Sequence, residues 1–126
     1  MSLYSTGLKQ EVCPVTKGET IVFDKEMIRE TVHSVIPDNL ISQIIVFGSM
    51  SRGDATADSD IDICIITHED IAYEDSKVYR GKINRIFAFK HRVSSDILLK
   101  SSNELERYKN VAGAIENEII RDGVVI

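Results

Sequence analysis

The chain is poor in several things at once. It has no tryptophan, two prolines and two cysteines in 126 residues. The thiols, Cys13 and Cys64, are too few and too far apart for a disulfide framework, and they fit the reduced thiols of a cytoplasmic protein. No apolar run approaches the ~20 residues that span a bilayer, so no membrane helix is expected. Met1–Gln10 is polar and mixed, without the apolar core of a secretory signal. Positive charge is also in deficit, with 15 Lys and Arg against 20 Asp and Glu and a net charge of −5. An acidic chain without a basic stripe is not built to grip a nucleic-acid duplex. Internal repeats and low-complexity tracts are absent as well.

What remains is an ordinary globular composition, 43% hydrophobic and 28% charged, at a length that suits one domain. Residues 1–20 carry Gly7, Pro14 and Gly18 and no clear period, so they are expected to form an irregular N-terminal arm, with a short extended piece at Val12–Val15. Residues 21–126 are expected to form a single α/β domain, a small mixed sheet of three to five strands backed by helices. Asp24 is a good N-cap for a helix over Lys25–Ile36, and Phe23 can staple onto Ile28. Met27, Ile28, Thr31, Val32, Val35 and Ile36 share one face of it, and Pro37 ends it. Further helices are predicted over Ala72–Phe89, with an apolar stripe through Ile83, Ile86 and Phe87, over Asn103–Tyr108, and over Val111–Arg121. In the last, Ala112, Ile115, Ile119 and Ile120 should point inward and Gly123 should cap the end. A strand is predicted over Val93–Leu99, followed at the end of the chain by a short extended tail.

The centre of the chain is Ile44–Thr67, IIVFGSMSRGDATADSDIDICIIT. Its two apolar runs, Ile44–Phe47 and Ile61–Thr67, are short and rich in β-branched residues, so both read as buried strands. Asp60 and Asp62 open the second. Side chains alternate along a strand, which puts both carboxylates on one face. Two such charges repel, and a hard divalent cation relieves the repulsion; Mg²⁺ is held in this way by carboxylates and substrate phosphates. The connection supplies what phosphates want. Gly48 permits close approach to the backbone, Ser49 brings a hydroxyl and an N–H, and a short helical turn over Ser49–Gly53 would favour an anion. Arg52 adds a fork of donors. This combination points to phosphoryl or nucleotidyl transfer.

Gly48-Ser49, then Arg52-Gly53, then Ser59-Asp60-Ile61-Asp62, together resemble the signature of the nucleotidyltransferase superfamily that includes DNA polymerase β. Within it the chain is most similar to the minimal nucleotidyltransferases of bacteria and archaea. The likeness is dense over about Leu40–Thr67 and looser through Ser95–Leu99 to Ile119–Val125. It implies a polymerase β palm-like sheet. It implies Asp60 and Asp62 as catalytic metal ligands, and Asp96 as a third acid that shares a metal and activates the acceptor hydroxyl. It also implies Gly48 and Ser49 as the holders of the triphosphate tail. Arg52 and Ser59 stand with the phosphate-binding residues, although Ser59 more readily braces the turn than touches substrate. The cofactor would be Mg²⁺, two ions, with Mn²⁺ as a substitute. The donor would be an NTP, with ATP expected, and the acceptor a hydroxyl on a helical HEPN-type partner, as in toxin–antitoxin pairs.

Other readings stand beside this one. The acceptor can instead be a small molecule, as for aminoglycoside nucleotidyltransferases, or the chain can be a non-catalytic, antitoxin-like binding module. A homodimer would be one way to complete so small a groove. Asp60 and Asp62 can cap a turn, and Ser49 can cap the short helix. Arg52 can pair with Asp54 or Asp58, and Asp96 can be an exposed edge residue. His33, His68 and His91 show no metal-ligand spacing. Lys82, Arg85, Lys90, His91 and Arg92 form a basic cluster whose ordinary reading is a solvated face, with a hold on a triphosphate or an acidic partner as the functional reading, and Cys64 reads as core.

Overall fold

A computed structural model describes residues 24–48 and 60–126. The arm expected over 1–20, Phe23 and its staple, and the turn at Ser49–Gly53 lie outside the described residues.

Helix α1 spans Lys25–Val35, and the Asp24 carboxylate accepts from the backbone N–H groups of Glu26 and Met27, as its N-cap position predicts. Ile36 is already extended ahead of Pro37, and a 3-10 turn over Asp38–Leu40 leads into the sheet. Strand β1 covers Ile41–Phe47, three residues more than its apolar run, because the exposed Ser42 and Gln43 belong to it. Strand β2 covers Ile61–Thr67 as expected. Helix α2 runs over Tyr73–Lys90 and strand β3 over Ser95–Ser101. Helix α3 follows over Ser102–Tyr108, helix α4 over Ile115–Asp122, and strand β4 is Val124–Val125.

The four strands form one mixed sheet in the order β3-β2-β1-β4. β1 pairs antiparallel with β2 and with β4, whereas β2 and β3 are parallel. A parallel neighbour needs a long crossover, and α2 is that crossover. One face of the sheet is covered by α1 and α2: Ile44, Val46, Ile61, Ile63, Ile65 and Ile97 pack on Ile28, Val32, Ile83 and Phe87. On the other face, Ile45, Phe47, Cys64 and Ile66 pack with Ile119 of α4. β2 is central and covered on both faces, which is why its sequence is apolar without alternation.

Two expectations are corrected. β3 begins at Ser95, not Val93: Arg92 turns left-handed, with φ 58°, and the Val93 N–H donates to the Phe87 carbonyl at 3.0 Å. Val93 therefore closes the end of α2 instead of opening the strand. The last helix begins at Ile115, not Val111, and Gly113 with φ 87° lies in the turn before it. Of the inward residues expected there, only Ile119 is buried; Ala112, Ile115 and Ile120 are exposed. The helix instead turns Glu116 inward, where it meets the Lys100 ammonium at 3.2 Å. Glu104 of α3 lies 3.6 Å from the same ammonium, and it also closes a capping box with Ser101. Burial opposes the charge on Lys100, but Glu116 and Glu104 outweigh it and hold the ammonium's pKa above its ordinary value.

The buried carboxylate makes α4 depend on one lysine. Lys100→Met should destabilise the fold by about 2–4 kcal/mol, because Glu116 is then buried without a counter-charge, whereas Lys100→Met with Glu116→Leu should recover most of the loss. Urea denaturation of the two variants checks this; a single variant as stable as the parent would refute it.

Candidate active site

The register of the sheet decides which acids meet. Along β2, Asp62 lies opposite Phe47 of β1 on one side and Asp96 of β3 on the other. Residues at one register of a parallel pair project to the same face, and neighbouring strands lie about 4.8 Å apart. Asp62 and Asp96 are therefore neighbours on the face that carries Cys64 and Ile66. Asp60 precedes the first residue of β2 and belongs to the same face by alternation. Asp60 and Asp96 are exposed and Asp62 is half-buried. Among the described residues no three His, Cys, Asp or Glu side chains are gathered closely enough to hold a metal ion as they stand. The sheet thus delivers an adjacent pair, Asp62 and Asp96, with Asp60 one pleat further out.

Gly48 follows β1 and is buried, with a left-handed φ of 74°. A Cβ built there would overlap the Asp62 carboxylate, lying 3.1 Å from its Cγ and 3.3 Å from its Cβ. The glycine is needed twice over, for its backbone angle and for the space the carboxylate occupies. The bend after β1 and the acid of β2 are therefore in direct juxtaposition. Ser49, Arg52 and Ser59 lie outside the described residues.

The second strand of the pair is anchored by a residue that sequence reasoning passed over. Asn84 of α2 accepts a hydrogen bond from the Ser95 hydroxyl at 2.6 Å, one residue before Asp96. The Ile61 N–H donates to the Ser94 carbonyl at 2.9 Å. Together these bonds fix where β3 starts against β2, and so fix Asp96 beside Asp62. The available signal was an amide one residue after Ile83, at the edge of the apolar stripe of α2. Cys64, two residues beyond Asp62, is fully buried, and burial pushes its thiol up to about 12, so it is a packing residue and not a nucleophile.

The donor set fits a divalent ion of the magnesium type. It consists of carboxylate oxygens alone, on adjacent strands, beside a glycine whose missing Cβ leaves room for the Asp62 carboxylate. His33, by contrast, is engaged with Asp38 at 2.6 Å, and His91 faces Thr31 at 3.5 Å.

Comparison with known proteins bears on the family and the fold. The family described as Polymerase beta, Nucleotidyltransferase matches residues 30–126. Among solved structures, the fold is similar to a chain of a toxin–antitoxin crystallised with AMP-PNP, at 18% identity and a TM-score of 0.61, covering 82% of this chain and 72% of that one. It is similar to a protein of Sulfolobus solfataricus described as a nucleotidyltransferase, at 23% identity and a TM-score of 0.52, covering 80% and 74%. It is also similar to a protein described as a minimal nucleotidyltransferase, at 22% identity and a TM-score of 0.52, covering 82% and 97%. No curated protein matches the chain. The mixed sheet with its helices is thus the polymerase β-like nucleotidyltransferase fold.

Gly48→Ala tests the juxtaposition. It should cost about 1–3 kcal/mol through the left-handed backbone and the overlap with Asp62. It should also move the Asp62 amide resonance by more than those of α1. An unperturbed Asp62 signal and unchanged stability would contradict the placement.

Proposed function

The chain belongs to the polymerase β-type nucleotidyltransferase family, and from that premise we propose that it transfers AMP from ATP to a hydroxyl on a partner protein, in a reaction dependent on a divalent metal. The observation that carries the reading is the register of Asp62 opposite Asp96, with Gly48 seated against Asp62. Asp60, Asp62 and Asp96 would hold Mg²⁺, two ions, with Mn²⁺ able to replace it. A divalent ion bound there supplies Lewis acidity toward the phosphates and charge neutralisation.

The protein's own part is mostly positioning. The bend at Gly48 receives the triphosphate tail, and the phosphate roles of Ser49, Arg52 and Ser59 rest on the resemblance of their motif. Asp96, on β3, is the third acid that the resemblance implies, and its carboxylate orients the acceptor hydroxyl and draws on its proton. The hydroxyl oxygen forms a bond to the α-phosphorus as the bond to the departing pyrophosphate breaks. Holding these groups in line is itself a large part of the acceleration. The likeness to a chain of a toxin–antitoxin with AMP-PNP supports a protein acceptor, and the helical HEPN type rests on the resemblance of the motif. No described helix is long and apolar enough to cross a membrane, so nothing in the described fold ties the reaction to a bilayer.

Incubation with α-labelled ATP and Mg²⁺, in the presence of a helical partner protein or an aminoglycoside, tests this. Label should appear on the protein, and Asp62→Asn should lower it by roughly 10²-fold or more while the fold persists. Label on the small molecule would move the acceptor to that class. Absence of label in every arm would leave a binding module, and full labelling by Asp62→Asn would end the metal-site assignment.

A further inference from the structure

A second feature lies on the opposite face of the sheet. Between α1 and α2, towards their C-terminal ends, runs a groove of about 530 Å³. Its floor is apolar: Val35 of α1 and Ile86 of α2 are half-buried, and Phe89 is 76% exposed. Its rim carries Lys82, Arg85 and Lys90 and no acid. Among the described residues none of these three cations forms an ion pair. The remaining wall residue, Ser34, donates its hydroxyl to the Thr31 carbonyl of its own helix at 2.7 Å. In a chain of net charge −5, a patch with three unpaired cations around an exposed aromatic is a local reversal of sign.

We propose that this groove is a docking site for an acidic amphipathic helix of a partner protein. The shape selects a helix, because a furrow between two packed helices accepts the ridge of a third. The floor selects apolar side chains, since an apolar patch rimmed by charge is the usual form of an interaction surface. The rim selects acids on the flanks of that helix, by charge complementarity. A nucleic acid would meet the cations but gain little from Val35 and Ile86, and it would be repelled by the rest of the surface. A second copy meeting this groove with the same patch would set Lys82, Arg85 and Lys90 against their own like charges. The groove and the carboxylates lie on opposite faces, so its occupancy is separable from the proposed reaction.

The test uses the full chain and two synthetic helical peptides. Both carry leucines at i, i+3, i+4 and i+7; one is flanked by glutamates and the other by lysines. The glutamate peptide should bind saturably and shift the amide signals of Val35, Ile86 and Phe89. Arg85→Glu and Phe89→Ser should each weaken it by about ten-fold or more, as should raised salt. Both substitutions are at exposed positions, and unchanged signals from β2 would show that the fold survives. The proposal is overturned if the lysine peptide binds equally well, if neither peptide binds, or if Arg85→Glu has no effect. It is also overturned if an RNA oligonucleotide displaces the peptide, or if light scattering shows self-association that Arg85→Glu abolishes.

Discussion

Two carboxylates stand at one register on neighbouring parallel strands. That arrangement is unfavourable by itself, since like charges side by side repel. Everything around it resists the obvious relief, a slip of β3 along β2. Ile61, Ile63, Ile65 and Ile97 are locked into the core under α1 and α2, and a shift by one residue would turn each buried side chain of β3 to the wrong face. At the start of β3, Asn84 and the Ser94 carbonyl fix the alignment directly. The acids are neighbours because the apolar side chains leave them no alternative.

The same logic shapes the ends of the sheet. β1 ends at Phe47, and the residue that follows is Gly48, where any side chain would occupy the space of the Asp62 carboxylate. Gly123 is similarly confined at the other edge: a Cβ would overlap the Ile119 carbonyl and the Ile45 side chain, so α4 can turn directly into β4. α4 covers the lower part of the second face through Ile119 and the Lys100–Glu116 pair. At the carboxylate end of that face Asp60 and Asp96 are both exposed among the described residues. The carboxylates lie on one face of the sheet, and the groove between α1 and α2 lies on the other.

Much of this was legible beforehand. α1 was readable from Asp24, its apolar stripe and Pro37, all of which act locally. β2 was readable because a strand covered on both faces shows an unbroken apolar run. What local pattern could not supply was set by contacts distant in sequence. Val93 looks like strand but is held by the Phe87 carbonyl. Glu116 looks like a solvent residue, and only the approach of Lys100 draws it inward. The side-by-side placement of Asp62 and Asp96 depended on β3 joining β2 in parallel, a condition that no stretch of sequence states. Gly48 was singled out for its open backbone, but its closeness to Asp62 is a tertiary fact. Ser49, Arg52 and Ser59 remain outside the described residues, so their roles rest on the motif.

The most direct measurement is paramagnetic broadening of the backbone amide spectrum by Mn²⁺ added with ATP. The signals of Gly48, Asp62 and Asp96 should broaden together at low Mn²⁺, and Asp96→Asn should raise the concentration needed. Broadening that leaves Asp96 untouched, or that falls elsewhere on the fold, would contradict the metal-site assignment.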